Sequence, residues 1–164
     1  MNRLTVRKAV AEDVPAIHSL LEHYADLGIV LRRSQQDILF YLRNFYVAED
    51  ATGICGCSAI RDFGNDLLEV RSLVVAPHRQ GEGIGRAIIA KILGDVDAMR
   101  SKWRVFTLTG QPEFFAKQGF HTVRREMFPE KIWSDCRNCP KNNCCDEVAL
   151  IVASDDYRAA ASQR

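Results

Sequence analysis

The sequence predicts an α/β fold built on one mixed sheet. Short runs rich in β-branched and apolar residues alternate with segments whose apolar residues recur at helical spacing. A glycine-rich turn, Gly81-Glu82-Gly83-Ile84-Gly85, joins the run that ends at Pro77 to the longest of the helical segments. At 164 residues the chain is long enough for one domain with a full core. We therefore predict the element order β-α-α-β-β-β-α-β-α-β-β.

The first half of the chain supplies two helices and three strands. Residues 4–7 alternate and predict an edge strand. Acidic residues and Pro15 mark the first turn of a helix that ends at Gly28 and has the apolar stripe Val14, Ile17, Leu20, Leu21 and Tyr24. Ser34-Gln35-Gln36-Asp37 resembles a capping box and predicts a second helix through Leu42. Two antiparallel strands follow at residues 45–48 and 53–60.

The second half continues the sheet around the glycine-rich turn. A fourth strand at 66–76 precedes the turn, and a helix at 83–99 follows it. We then expect a strand at 105–108, a short helix at 112–117, a strand from 120 to 123 and a closing strand at 147–152. The predicted domain covers residues 1–153, with a cysteine-rich insertion at about 130–146, and residues 154–164 form a polar tail.

Charge and hydropathy exclude several classes of protein. A net charge of +1 and a pI of about 7.6 give no global field for nucleic acid or an acidic membrane surface. No apolar run approaches the roughly 18 residues that a membrane span needs, and the N-terminus lacks the apolar core of a signal peptide. We therefore expect a cytoplasmic protein without nucleic-acid or membrane partners, whose six cysteines are reduced thiols or ligands.

The glycine-rich turn predicts a seat for a phosphate or pyrophosphate. Glycines let the backbone approach a ligand, and a helix start supplies free N–H groups with a partial positive charge. There is no Gly-Lys-Ser/Thr for a P-loop, and Arg86 stands where the dinucleotide fingerprint has its third glycine. The pattern Gln80-x-x-Gly83-x-Gly85, after an apolar strand and before a helix, resembles the acetyl-CoA signature of the GNAT N-acetyltransferases.

That resemblance implies the GNAT fold, a mostly antiparallel, twisted sheet of about seven strands flanked by helices. It also implies acetyl-CoA as the co-substrate. The residues that it assigns to acetyl-CoA are Leu73, Val74, Val75, Gln80, Gly81, Gly83, Ile84, Gly85, Arg86 and Phe115.

The strand at 66–76 carries two charged residues, Glu69 and Arg71, on the face that period two shares with Leu73 and Val75. Charges in a buried run cost several kcal/mol unless they are paired or functional. One interpretation is a salt bridge between the two side chains. In the other, Glu69 is a general base that takes a proton from the acceptor amine. Backbone N–H groups around residues 73–75 would then polarise the thioester carbonyl.

A narrower resemblance covers residues 3–153. The chain resembles the short, single-domain N-acetylglutamate synthases in Ile29-Val30-Leu31-Arg32-Arg33-Ser34, Val47-Ala48-Glu49-Asp50, Ile54-Cys55-Gly56-Cys57, Glu69-Val70-Arg71-Ser72-Leu73-Val74-Val75, Val105-Phe106-Thr107-Leu108-Thr109 and Phe114-Phe115-Ala116-Lys117-Gln118-Gly119-Phe120. It implies acetyl transfer from acetyl-CoA to L-glutamate, giving N-acetyl-L-glutamate in the first step of arginine biosynthesis. It also implies a homodimer, Glu69 as base, and Arg33 or Arg32 as ligand of a substrate carboxylate.

The charge of the substrate also favours arginines in the site. L-glutamate brings two carboxylates, and a buried carboxylate is best bound by a bidentate arginine. The candidates are Arg32, Arg33 and Arg71. The alternative is that Arg32 and Arg33 are exposed to solvent and bind no substrate.

The sequence departs from the family pattern at Phe115, because many GNAT enzymes have a proton-donating tyrosine there. Thr109 could donate instead, or the CoA thiolate could leave unassisted, and Phe115 would pack against the pantetheine arm or the core.

The cysteine-rich insertion leaves two interpretations open. The close spacing of Cys136-x-x-Cys139 and Cys145 is typical of a zinc or redox site. A second Cys-x-x-Cys is missing, however, and the neighbouring Cys144 and Cys145 can hardly both bind one ion. We therefore predict a structural or recognition loop and no metal. Cys55 and Cys57 are predicted as small core residues.

Two other functions remain as alternatives. One is a GNAT enzyme for another small amine or amino acid, and the other is a non-catalytic protein that senses acetyl-CoA or a metal. The residues of the acceptor pocket distinguish the two enzyme hypotheses. Arginines there favour a dicarboxylate amino acid, whereas acidic residues favour a cationic amine.

Overall fold

The computed structural model describes residues 3–128 and 147–163, and the α/β order predicted from the sequence is confirmed there. Within those ranges the strands are β1 Thr5–Lys8, β2 Phe45–Asp50, β3 Gly53–Asp62, β4 Leu67–Val75, β5 Arg104–Thr109, β6 His121–Val123 and β7 Val148–Ala153. The α-helices of the same ranges are α1 Val14–Asp26, α2 Gln35–Phe40, α3 Ile84–Met99, α4 Pro112–Lys117 and α5 Ser154–Ser162.

The strands form a seven-stranded sheet in the order β1-β2-β3-β4-β5-β7-β6. The pairs β1–β2, β2–β3, β5–β7 and β6–β7 are antiparallel. β4 and β5 are parallel, and their register runs from Leu67 opposite Arg104 to Glu69 opposite Phe106. The prediction of a mixed, mostly antiparallel sheet is therefore confirmed.

The chain divides into two compact units. The first comprises the described residues of Met1–Arg61 and Val70–Ala98, and the second those of Asp62–Glu69 and Met99–Arg164. In the first unit, the predicted stripe of α1 packs on apolar residues of β2, β3 and β4. In the second, Phe106 stacks on Phe128 with ring centroids 4.1 Å apart, inside a cluster that includes residues of β4 and β7.

In the first unit, an ionic cluster fixes the start of α1. Asp13 accepts a hydrogen bond from the Val10 N–H at 2.8 Å, and its carboxylate receives Arg7 Nη1 at 2.7 Å. The same guanidinium donates through Nε to Glu49 at 2.8 Å. Arg7 thus connects β1, β2 and the turn before α1.

The second helix begins as predicted and ends earlier. The Ser34 hydroxyl accepts the Asp37 N–H at 3.0 Å, which confirms Ser34 as the N-cap. The helix ends at Phe40 rather than Leu42, because residues 42–44 tighten into a 3₁₀ turn that leads into β2. Phe45, which follows that turn, is fully buried in the core of the first unit.

In the second unit, the predicted polar tail contributes a helix. Ser154 is buried, and its hydroxyl accepts the Trp103 N–H at 3.3 Å. Tyr157 of α5 packs on the Trp103 ring at 5.5 Å. In the part of the chain that the structure describes, no helix has both the length and the apolar character needed to cross a membrane.

Candidate functional site

The glycine-rich turn connects the end of β4 to the start of α3. A 3₁₀ turn, Pro77–Arg79, follows β4, and Gly81 and Gly83 both have φ of 82°. That left-handed conformation favours glycine, which has no Cβ to clash with the backbone. A Cβ built at either position would meet nothing within 4 Å. The side of the turn that these two glycines expose is therefore open to a ligand.

The turn also presents a row of donors. Among the described residues, the backbone N–H groups of residues 81–86 donate to no acceptor of the chain, and the first bond into α3 is from the Ala87 N–H to the Gly83 carbonyl at 3.0 Å. Free N–H groups at the start of a 16-residue helix attract anions. The residues present at this turn therefore fit a pyrophosphate.

Arg79 fastens the turn to the β2–β3 hairpin, within the first unit. Its Nη2 lies 2.7 Å from Asp50 Oδ2, and its Nε lies 2.8 Å from Glu82 Oε2. Hydrogen bonds from Arg79 and from Thr52 hold the pKa of the Asp50 carboxyl well below its usual range. The Asp50 side chain is 1% exposed and that of Arg79 is 18% exposed. Neither Arg79 nor Asp50 is identified from the sequence as a site residue.

Tyr24 provides a second attachment. Its hydroxyl donates to the Val75 carbonyl at 2.5 Å and accepts from Gln80 Nε2 at 2.7 Å. From the sequence, Tyr24 is predicted only as part of the apolar stripe of α1. Its phenol joins that helix to the last residue of β4 and to the first residue of the acetyl-CoA pattern.

Arg33 is held in a partly buried frame. Its Nε donates to Asp37 Oδ2 at 2.7 Å, and its Cζ lies 5.1 Å from the Phe45 ring centroid and 5.6 Å from that of Tyr41. The side chain is 16% exposed, and among the described residues its Nη groups donate to no acceptor. Burial raises the pKa of the Cys57 thiol to about 12, and the Arg33 charge opposes that rise.

Arg32 has a different environment from its neighbour. Its side chain is 54% exposed and pairs with Glu22 and Asp26 of α1. The structure thus separates the two neighbouring arginines: Arg32 is a surface residue, and Arg33 is partly buried near two aromatic rings.

Glu69 and Arg71 fall in different units. Glu69 is 3% exposed and belongs to the second unit, and Arg71 belongs to the first and has a buried Nε atom. Ser72 follows with φ of 54°, a conformation that is rare for a non-glycine residue within a strand. The period-two alternation of β4 is therefore not continuous through Ser72.

Phe115 lies in α4 and is buried in the second unit. Its ring makes edge-to-face contacts with Phe114 at 5.0 Å and Phe120 at 5.3 Å. This agrees with the core-packing alternative for Phe115. Thr109, at the end of β5, accepts the Gln111 N–H at 2.9 Å through its hydroxyl oxygen.

The predicted site residues are thus distributed over both units. The first unit contains most of them, namely Arg32, Arg33, Arg71, Leu73, Val74, Val75, Gln80, Gly81, Gly83, Ile84, Gly85 and Arg86. The second contains Glu69 and Phe115.

The cysteine predictions are partly tested. Cys55 and Cys57 are buried free thiols, which confirms them as core residues. Cys136, Cys139 and Cys145 lie outside the described residues. In the described ranges, no three His, Cys, Asp or Glu side chains are grouped so that they could hold a metal ion.

This chain is similar in sequence to acetyltransferases. The sequence profile of the acetyltransferase (GNAT) domain matches residues 41–122. An uncharacterized N-acetyltransferase of Chlorobaculum tepidum is 40% identical over 149 residues, which are 89% of this chain and 94% of the relative. An amino-acid acetyltransferase of Mycobacterium tuberculosis is 35% identical over 140 residues, which are 83% of this chain and 79% of the relative.

A solved structure extends the likeness to three dimensions. The N-acetylglutamate synthase of Neisseria gonorrhoeae, complexed with coenzyme A and N-acetyl-glutamate, superposes with a TM-score of 0.81 at 27% identity. The match covers 92% of this chain and 35% of the gonococcal chain. With the fold, the pyrophosphate-fitting turn and these relatives in agreement, the chain belongs to the GNAT family and is an acetyl-CoA-dependent N-acetyltransferase.

Proposed function

We propose that this chain transfers the acetyl group of acetyl-CoA to the α-amino group of L-glutamate. The observation that carries the proposal is Arg33, a partly buried guanidinium whose Nη groups have no acceptor among the described residues. A carboxylate is the ligand that best matches such a fork. The mycobacterial relative supports an amino acid as the acceptor, and the gonococcal synthase, which is complexed with N-acetyl-glutamate, supports glutamate.

The cofactor-binding residues follow from the turn. We assign the pyrophosphate of acetyl-CoA to the N–H groups of residues 81–86, with the exposed Arg86 side chain as a further positive charge. The backbone of Leu73, Val74 and Val75 is assigned to the thioester arm. Gln80 contributes through its bond to Tyr24, which orients the start of the turn. Ile84 contributes its N–H, since its side chain is buried in the core.

In the proposed chemistry, acetyl-CoA supplies the thioester and Glu69 handles the proton. The ammonium of glutamate gives one proton to the Glu69 carboxylate, and its nitrogen lone pair then forms the amide bond to the acetyl carbonyl carbon. The carbon–sulfur bond breaks, the CoA thiolate leaves, and the nitrogen, which is positively charged after the attack, releases its second proton to solvent. Phe115 has no proton to give, so the thiolate departs unassisted or takes a proton from the Thr109 hydroxyl.

The substrate carboxylates are assigned to Arg33 and Arg71. Arg32 is less suited to this role, because it is half exposed and already pairs with two carboxylates. The homodimer implied by the resemblance stays a prediction, which sedimentation velocity would check.

The experiment is release of CoA thiol from acetyl-CoA in the presence of a panel of amino acids. We expect L-glutamate to give the highest kcat/KM. If another amine supports turnover and L-glutamate gives no more thiol than buffer, the proposal is wrong. The panel includes neutral, basic and monocarboxylate acceptors, so the same assay identifies a different substrate.

The Arg33→Ala variant tests the carboxylate assignment. We expect the KM for glutamate to rise by about 10- to 100-fold, because a hydrogen bond to a charged group contributes ~1.5–3 kcal/mol. The KM for acetyl-CoA should change little. Arg32→Ala decides between the neighbouring arginines, and it should cause the smaller rise. An equal rise in both KM values for Arg33→Ala would contradict the assignment.

A further inference from the structure

We propose that Asp37 is a positioning residue that sets acceptor specificity through Arg33. The inference rests on the proposed function, because Arg33 is taken as the ligand of a substrate carboxylate. It goes further by naming the residue that decides which edge of the guanidinium meets that carboxylate.

The position of Asp37 is fixed by the start of α2. Its N–H donates to the Ser34 hydroxyl at 3.0 Å, as expected for a residue in the first turn after the N-cap. A carboxylate in the first turn is also favoured by the helix dipole. Asp37 Oδ2 then accepts from Arg33 Nε at 2.7 Å. The helix cap and the arginine are thereby coupled through one side chain.

This contact restricts how Arg33 can bind a carboxylate. A guanidinium donates through Nε and two Nη groups, and a carboxylate can pair with either an Nε–Nη edge or the Nη–Nη edge. Asp37 occupies Nε, so the end-on Nη1–Nη2 edge is the one left for a bidentate ligand. The rings of Phe45 and Tyr41, at 5.1 and 5.6 Å, limit the tilt of the guanidinium plane. Arg33 is therefore presented in one orientation.

The charge of Asp37 has a second consequence. Arg33 and Asp37 together are neutral, so a substrate carboxylate shares the Arg33 guanidinium with the Asp37 carboxylate. A loosely placed carboxylate gains little under these conditions, whereas one aligned with both Nη groups gains two charge-assisted hydrogen bonds. We infer that the site selects acceptors by the distance and orientation of a carboxylate relative to the amine.

The test uses the full chain with Asp37→Ala, Asp37→Asn and a matched control. Asp26 is the control, because it also pairs with an arginine, Arg32, but on an exposed surface. Steady-state kinetics give kcat and the KM values for L-glutamate and acetyl-CoA. Calorimetry with N-acetyl-L-glutamate measures acceptor-site affinity without turnover.

We expect Asp37→Ala to raise the glutamate KM and the N-acetyl-L-glutamate Kd by about tenfold, with the acetyl-CoA KM within about twofold of wild type. Asp37→Asn retains an oxygen acceptor for Nε and should restore most of the affinity. Asp26→Ala should leave all values unchanged. Equal changes in both KM values, no change in Asp37→Ala, failure of Asp37→Asn to restore affinity, or a matching loss in Asp26→Ala would each overturn the inference. If Asp37→Ala does not fold, Asp37→Asn decides through discrimination between acceptors. Without the negative charge, the ratio of kcat/KM for L-glutamate over L-aspartate should fall, and an unchanged ratio would overturn the inference.

Failure of the proposed function is visible separately. If wild type does not acetylate glutamate, the same variants are assayed with the amino acid that the panel selects. A rise in the KM of that acceptor in Asp37→Ala, absent in Asp26→Ala, supports the role of Asp37. An unchanged KM overturns it.

Discussion

The Tyr24→Phe variant removes one oxygen atom and two hydrogen bonds from the attachment of the glycine-rich turn. The Tyr24 hydroxyl contacts the Val75 carbonyl at 2.5 Å and Gln80 Nε2 at 2.7 Å, and the side chain is 7% exposed. The ring itself can remain in the core of the first unit. The change therefore separates the attachment of the turn from the packing of α1.

The expected magnitude follows from those two contacts. A typical hydrogen bond contributes about 1 kcal/mol net, so the free energy of unfolding should fall by about 2 kcal/mol. For a chain of this size that corresponds to a fall in Tm of about 4–8 °C. Because Val75 and Gln80 also lose their orientation, the KM for acetyl-CoA should rise by about 5- to 30-fold, with a smaller change in the KM for the amino acid.

The matched control is Tyr46→Phe, in the same unit. Tyr46 is 1% exposed and donates one hydrogen bond to Asp95 Oδ2 at 2.9 Å. Because the acceptor is a carboxylate, Tyr46→Phe should lose about 1.5–3 kcal/mol of stability and keep the wild-type KM for acetyl-CoA. Urea denaturation and thiol-release kinetics on both variants give the comparison. An acetyl-CoA KM unchanged in Tyr24→Phe, or raised equally in Tyr46→Phe, would refute the assigned role of Tyr24.

Two further predictions concern Glu69 and Arg79. Glu69→Gln should lower kcat by about 100-fold or more while keeping the acetyl-CoA KM, because it removes the proton acceptor; a kcat near wild type would exclude Glu69 as base. Arg79 lowers the pKa of Asp50, so the stability from this pair is present above about pH 4 and is lost as the pH falls further. Arg79→Met should therefore destabilise the protein most near neutral pH and less in acid, and equal losses in urea titrations across that range would contradict this account.

The fold could be predicted largely because its signals are local. Helical spacing marked the buried face of α1, Ser34 marked the N-cap of α2, and the position of Cys55 and Cys57 on one strand face marked them as core residues. Each of these depends on neighbours a few residues away. The end of α2 was less predictable, since it is set by the entry of Phe45 into the core.

The attachment of the glycine-rich turn depends on contacts that are remote in sequence. Arg79 and Asp50 are 29 positions apart, and Tyr24 and Gln80 are 56 apart. The role of the Tyr24 hydroxyl cannot be predicted from the sequence pattern. A tyrosine ring fits the apolar stripe of a helix whether or not its hydroxyl has a hydrogen-bond partner. Sequence spacing locates the turn but cannot indicate what holds it.

Arg32 and Arg33 show the same limit at adjacent positions. Both have an aspartate within reach, Asp26 for one and Asp37 for the other, so the presence of a carboxylate partner does not distinguish them. Solvent exposure distinguishes them, because an exposed ion pair such as that of Arg32 contributes only ~0–1 kcal/mol and can be exchanged for water. The Arg33 side chain is 16% exposed, lies near two aromatic rings and is paired only at Nε, so water screens a charge placed on its Nη groups less than at Arg32. A substrate carboxylate that supplies the missing acceptors therefore gains more at Arg33 than at Arg32.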